Sequence, residues 1–241
     1  MKSALHLNEV LKGLAFPEVC QVCGISQADA ANGFTCRNCR SQISRTKPPW
    51  CEQCGLPFGG AVGEAVTCKN CYEAKWQFAC ARSIMAARGL VREVIHRYKY
   101  NQHEFFEPLM ILWLHSCGSL FPDQPQCIVP VPLHPVKERE RGFNQAERLA
   151  AGVAKYLGLP METKFLRRVK YTKTQTNLTR KERLANMHNA FEAPGRMPFS
   201  RLLLIDDVMT TGSTASACAA ALRGAGAARV DVLTLARGMP D

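Results

Sequence analysis

Leu202-Leu203-Leu204-Ile205-Asp206-Asp207-Val208-Met209-Thr210-Thr211-Gly212-Ser213-Thr214 runs from a purely apolar stretch through two adjacent carboxylates into a hydroxyl-rich turn. Four consecutive aliphatic residues are the pattern of a parallel strand covered on both faces. The acids then fall at its carboxyl end, where open α/β sheets take their ligands. Asp206 and Asp207 supply acceptors for vicinal sugar hydroxyls, and Thr210, Thr211, Ser213 and Thr214 place hydroxyls beside the unpaired N–H groups of a helix starting near Gly212. A helix N-terminus of this kind holds a phosphate. Gly212 removes the Cβ that would keep the backbone from closing on the anion. The stretch therefore reads as a sugar-phosphate site in an α/β sheet.

Working outward, the chain has 241 residues, 46% hydrophobic and 21% charged, which suits one ordinary domain plus a small one. Its longest clean apolar run, Leu109 to Leu114, is too short to cross a bilayer. No basic region followed by an apolar core and a small-residue cleavage site marks the amino terminus for export, so a cytoplasmic protein, not embedded in a membrane, is expected. The net charge of +11 is uneven: residues 130 to 185 hold 13 Lys or Arg against 5 Asp or Glu. A polyanion is the partner that this segment suits, and charge alone does not separate a phosphorylated sugar from nucleic acid.

Eight of the 12 cysteines fall in four CxxC pairs: Cys20 and Cys23, Cys36 and Cys39, Cys51 and Cys54, Cys68 and Cys71. The intervals between successive pairs are 12, 11 and 13 residues. Each half has the spacing of a zinc ribbon, which predicts two closed, structural tetrathiolate sites. Redox CxxC motifs come singly beside a βαβ unit, and this region has none. Four pairs combine into two sites in three ways; the sequential pairing is favoured by Pro48-Pro49 between the halves. The cysteine-rich stretch is too small and too poor in aliphatic residues to fold unaided, so metal must hold it. Cys80, Cys117, Cys127 and Cys218 have no ligand spacing and read as buried packing.

From about residue 80 the pattern alternates between apolar strands and amphipathic helices, the signature of a parallel α/β sheet. Strands are expected at Arg82–Ala87, Cys127–Val131, Phe165–Val169, near Phe191, in the Leu202 stretch and at Val230–Leu235. Helices are expected through Val91 to Tyr98 and over Phe105–Cys117, Asn144–Leu157, 177–188 and Gly212–Arg223. The division is a zinc-ribbon domain over 1–78 and an α/β domain over 79–241.

Two further stretches carry charge. Val129-Pro-Val-Pro-Leu-His-Pro-Val-Lys-Glu-Arg-Glu-Arg141 ends a strand at the same carboxyl edge as the acids, and its prolines fix an irregular loop with N–H groups turned outward. Lys137, Arg139 and Arg141 follow within reach of a pyrophosphate. The polar, basic run from Arg167 through Arg168, Lys170, Lys173, Gln175 and Arg183 suits a lid that closes over an anionic ligand and excludes water.

The thirteen residues from Leu202 resemble, at every position, the phosphoribosyl pyrophosphate (PRPP) motif of type I phosphoribosyltransferases. That resemblance implies that Asp206 and Asp207 bind the ribose hydroxyls and act in catalysis by positioning the ribose and moderating cationic charge on it. It implies that Thr210, Thr211, Gly212, Ser213 and Thr214 cradle the 5-phosphate, and that Pro132, Leu133 and His134 form the pyrophosphate loop, with Mg2+ arriving on PRPP. With the Val-Pro-Val-Pro loop, Arg141-Gly-Phe-Asn-Gln145 and the pattern of Gln175, Arg183, Asn186 and Phe191, the whole chain resembles the ComF (GntX-like) family. The family implies a zinc-binding segment followed by a type I phosphoribosyltransferase domain, and a part in DNA uptake. No stretch reads as a hood for a nitrogenous base, so the acceptor stays open. A silent fold that senses PRPP, binds single-stranded DNA or docks DNA-processing proteins stays open beside enzymatic transfer.

Overall fold

A computed structural model describes residues 18–29, 32–59, 66–100, 104–118, 120–171, 187 and 189–239. Two short helices, α1 (Arg37–Ser41) and α2 (Lys69–Glu73), belong to the cysteine-rich segment. Strand β1 (Ala81–Ala86) leads into α3 (Gly89–Tyr100) and α4 (Glu107–Leu114), then β2 (Cys127–Pro130), α5 (Pro135–Arg141) and α6 (Gln145–Leu157). A short antiparallel ribbon, β3 (Arg167–Arg168) with β4 (Phe191–Glu192), precedes β5 (Arg201–Met209), α7 (Ser213–Gly224) and β6 (Arg229–Arg237).

The core is a sheet in the order β1-β6-β5-β2, with every neighbour parallel. Because successive strand residues point to opposite faces, the aliphatic run of β5 serves two cores at once. Leu203 and Ile205 pack with α3, α4 and α6, whereas Leu202 and Leu204 pack with α7. All four are essentially inaccessible, as a strand buried on both faces requires. Helix α4 is bracketed by single 3-10 turns at Glu104–Phe106 and His115–Cys117, which together fill the helix expected over 105–117.

Neither border of the sheet is left open. At one side, residues 44–46 run antiparallel to β1, with Thr46 N donating to the Ile84 carbonyl at 3.0 Å and Ala86 N to the Ser44 carbonyl at 2.8 Å. At the other, Ile128 N donates to the Pro160 carbonyl and Glu162 N to the Ile128 carbonyl, both at 2.9 Å. The cysteine-rich segment is thus joined to the sheet through main-chain hydrogen bonds. Its two halves also divide between the cores: Cys20, Cys36 and Cys39 join the α3 side, and Cys51, Cys54, Cys68 and Cys71 the α7 side.

Strand β5 continues four residues past Ile205 and includes both acids. Its partner β2 stops opposite Ile205, because Pro130 and Pro132 have no N–H to continue the ladder. From Asp206 onward β5 is paired only to β6, through Asp206↔Thr234, Val208↔Ala236 and Met209↔Arg237. Beyond Ile205 the β2 side of β5 therefore carries no strand pairing among the described residues. The strand expected over Phe165–Val169 shrinks to Arg167–Arg168, and the helix expected over 177–188 lies, apart from helical Met187, outside the described residues.

Candidate functional site

The turn after β5 is built around Gly212, which caps α7 with φ +87°. Only glycine occupies that region without penalty. A Cβ there would also lie 3.3 Å from Met209 Cε and 3.4 Å from the Trp76 ring. As a glycine, the cap contributes no side-chain hydrogen bond to the first turn of α7. Around it, Thr211 Oγ1 and Ser213 Oγ lie 2.9 Å apart. Thr210 is exposed, Thr214 half-exposed, and Ser213 buried. The first turn of α7 thus offers main-chain N–H groups and hydroxyls together, as an anion site needs.

Strand alternation sends the two acids to opposite faces of β5. Asp207 turns toward α3, where its Oδ2 meets Lys99 Nζ at 2.7 Å. Asp206 turns toward the side of α7 and β3, feels the charge of Arg168 and lies close enough to Cys218 to disfavour its thiolate. Burial, and next the charge of Asp207, push the Asp206 carboxyl up to about 7, against the opposing pull of Lys99, the Asp207 N–H and Arg168. Its Oδ1 accepts from that N–H at 2.8 Å. Two neighbouring carboxyl groups with different environments, and a cation on each side, are the kind of pair whose proton affinities are driven apart.

The loop after β2 leaves the sheet at the same edge as this pair, Pro130 standing opposite Ile205. Asn144 fixes its start: Nδ2 donates to the Val131 carbonyl at 3.1 Å while Oδ1 caps α6 by accepting from Ala146 N at 3.1 Å. Pro132, Leu133 and His134 are half-buried, and His134 is the N-cap of α5. Its Nδ1 accepts from Val136 N at 3.3 Å, which leaves the neutral ring's proton on Nε2 as a donor. The following basic residues divide by helical geometry. Lys137 and Arg141 share a face, where Lys137 holds Glu140 at 2.7 Å and Arg141 donates to Gln145 Oε1 at 3.0 Å and lies over Tyr100. Arg139, two residues from each, projects from another face and is exposed.

Of the lid residues, Arg168 lies over the Phe191 ring and Lys170 is exposed, while Lys173, Gln175 and Arg183 fall outside the described residues. Tyr171 ties the base of this segment to the loop after β2, edge-on to His134 at 5.2 Å and 5.9 Å from Lys137 Nζ. Lys99, Tyr171 and the buried Arg237 carry no single-residue signal that marks them for this site in the sequence, and Asn144 is legible only as part of the Arg141-Gly-Phe-Asn-Gln145 stretch. Arg237 is the nearest to legible, as a cation at the end of the almost fully buried strand β6.

The eight paired cysteines form two groups, Cys20/Cys23/Cys36/Cys39 and Cys51/Cys54/Cys68/Cys71, in each of which the Sγ atoms lie within 4.8 Å of one another. The sequential pairing is the one that the fold adopts. Thiolates at ~2.3 Å from a tetrahedral zinc stand about 3.8 Å apart. Cys54 and Cys68 are 3.7 Å apart and Cys23 and Cys36 4.0 Å, so both sets fit the ion. Main-chain and indole donors already point at the sulfurs, including Cys68 N to Cys51 at 3.3 Å and Trp76 Nε1 to Cys71 at 3.2 Å. Such outer contacts orient metal-bound thiolates. The other four cysteines are buried, and burial pushes Cys117 and Cys127 up to about 11, as packed thiols.

Comparison with known proteins agrees with both halves. Residues 11–72 match the double zinc ribbon domain, and residues 144–240 match the phosphoribosyl transferase domain. Competence protein F of Haemophilus influenzae is 30% identical over 226 residues, covering 85% of this chain and 97% of its own. DNA utilization protein YhgH of Salmonella typhimurium is 31% identical over 232 residues, covering 93% and 99%. Competence protein ComFC of Bacillus subtilis is 27% identical over 210 residues, covering 84% and 83%. A double zinc ribbon ahead of a phosphoribosyltransferase domain, matched nearly end to end in relatives of this name, places the chain in the ComF family, to which it belongs.

Proposed function

We propose that the protein binds PRPP as its magnesium complex at the carboxyl end of β5 and the first turn of α7, as a phosphoribosyltransferase-type site working in DNA uptake. The observation that carries this reading is the turn of α7: a left-handed glycine cap, a first helical turn whose Ser213 N–H meets only Thr211 Oγ1 at 3.4 Å, and four hydroxyl side chains within seven residues of two acids. In this reading Thr210 to Thr214 hold the 5-phosphate and Asp206 and Asp207 accept from the ribose hydroxyls. The loop at Pro132 to His134 receives the pyrophosphate, with Lys137 and Arg141 on the same side, and Arg168 and Lys170 start the lid. Arg139 contributes long-range charge only.

Among the described residues, the cysteine sets are the groups of three or more His, Cys, Asp or Glu able to hold a metal. Mg2+ would arrive on the oxygens of PRPP, with Asp206 and Asp207 as the carboxylates at hand, and would supply charge neutralisation for a departing pyrophosphate. The chain's own share is electrostatic: the acids face positive charge on the ribose and the basic loop faces the leaving group. Displacement breaks the anomeric C–O bond to pyrophosphate and forms a bond to an acceptor nucleophile, which loses a proton.

Calorimetric titration with magnesium PRPP tests the binding. Micromolar affinity in the parent, abolished in Asp206→Ala/Asp207→Ala, is the expected result; equal affinity in both removes the site. Pyrophosphate release with purines, pyrimidines and ammonia as acceptors then tests turnover, and silence with all of them favours a sensor or scaffold. The names of the relatives and the basic segment over 130–185 favour a second reading, direct contact with single-stranded DNA. Fluorescence anisotropy of an oligonucleotide across a salt series decides it, since phosphate contacts demand a steep salt dependence.

Zinc at the two cysteine clusters would require all eight ligands to be reduced, which suits a cytoplasmic location. No helix among the described residues is long and apolar enough to cross a membrane.

A further inference from the structure

Two side chains bridge the second cysteine cluster to the turn of α7. Trp76 is buried, donates Nε1–H to Cys71 Sγ at 3.2 Å, and stacks on Phe78 at 5.5 Å. Its six-membered ring stands against Gly212, where an added Cβ would meet it at 3.4 Å. From the opposite side, Arg237 at the end of β6 is 5% exposed and divides its guanidinium between two duties. Nη2 donates to Cys54 Sγ at 3.7 Å, and Nη1 donates to the carbonyls of Met209, at 3.0 Å, and Thr210. Gly238 N adds a bond to the Met209 carbonyl at 2.9 Å. The space between the cluster and the turn is a cavity of about 250 Å³ lined by Cys54, Cys71, Trp76, Thr210, Thr211 and Arg237.

We infer that Trp76 and Arg237 are positioning residues that fasten the Met209–Thr214 turn to the Cys51/Cys54/Cys68/Cys71 cluster, so that the turn holds its shape only when that cluster is loaded. The chemistry favours it. A thiolate bound to zinc keeps its negative charge and its place, and is a stronger acceptor for both N–H donors than a free thiol. Without the metal the two sulfurs lose their fixed positions, Arg237 loses the partner of one nitrogen, and the Trp76 ring is free to shift from Gly212. The first cluster, on the other face of the sheet, makes no such contact with the turn among the described residues. The consequence for PRPP rests on the reading of the turn as its phosphate site; the fastening itself does not.

The test uses the full-length, zinc-loaded protein with Trp76→Phe, which keeps the ring and deletes the donor, and Arg237→Lys as the second variant should the first fail to fold. Cys20→Ser/Cys23→Ser serves as the control on the other cluster. Zinc content, backbone hydrogen exchange over 209–214 and magnesium PRPP affinity are read together. Trp76→Phe is expected to keep about two zinc ions, to speed exchange in the turn about tenfold, and to weaken PRPP binding about tenfold. The control is expected to leave exchange in the turn unchanged. Unaltered exchange over 209–214 in both positioning variants overturns the inference, whatever the affinity. A parent protein that ignores PRPP overturns the proposed function instead, and the exchange measurement still decides the fastening.

Discussion

Asp206 is where the physics of a single residue bears most on the proposed function. Burial, and next the charge of Asp207, push its carboxyl up to about 7 from an ordinary 3.8. The folded state thus holds a proton that the unfolded chain has already released. Stability contributed through this group is present below about pH 4 and declines as the pH rises toward about 7. Ribose hydroxyls donating to the carboxylate favour the ionised form, so ligand binding expels the proton and affinity climbs with pH up to about 7. Calorimetry of magnesium PRPP near pH 6.5, repeated in buffers of different ionisation heat, is expected to show proton release that falls in Asp206→Asn. Equal release in both proteins would mean that Asp206 is already ionised or does not touch the ligand. The acid pair was legible in the sequence because both carboxylates are contiguous with the strand and turn that serve them. Lys99 was not, since it comes from a helix end more than a hundred residues earlier and only the packing of α3 against β5 delivers it to Asp207.

At the scale of elements, local pattern foretold the strands and helices well wherever a segment is buried on a regular period. β2, α6, α7 and β6 all lie within a few residues of their expected bounds. It missed the length of β5, because Asp206 and Asp207 are poor strand residues that are held extended by pairing with β6, a partner that no local window contains. The antiparallel cover over β1 was equally hidden, since residues 44–46 have no strand signature of their own. Gly55 shows how tightly the cysteine-rich segment is fitted to that strand: its φ is +66° and an added Cβ would stand 2.5 Å from the Ala81 carbonyl oxygen. Gly55→Ala is expected to lose at least about 2 kcal/mol, from the left-handed backbone together with the main-chain clash. Equilibrium denaturation in urea reads it. A loss below about 1 kcal/mol, the size of the backbone penalty alone, would show that the two segments yield easily to one another.

Viewed as a whole molecule, the sequence presents two compositional halves, whereas the fold shares hydrogen bonds and both hydrophobic cores between them. Composition sees residue types, and the interleaving arises from where each ribbon lands on the sheet. We expect scanning calorimetry of the zinc-loaded protein to give one cooperative transition, and chelation to lower the midpoint for the sheet as well as for the ribbons. Two transitions, with the higher one indifferent to chelator, would support a division into two independently stable domains near residues 78 and 79. The segment at 44–46 carries a final consequence for how the chain is made. It precedes β1 in the sequence, so it leaves the ribosome first and is already at hand when the strand it shields emerges. A nascent molecule starved of zinc is expected to leave that border bare, as a template for another copy, so that expression in zinc-depleted medium should raise the insoluble fraction; an unchanged fraction would mean that the cover forms without metal.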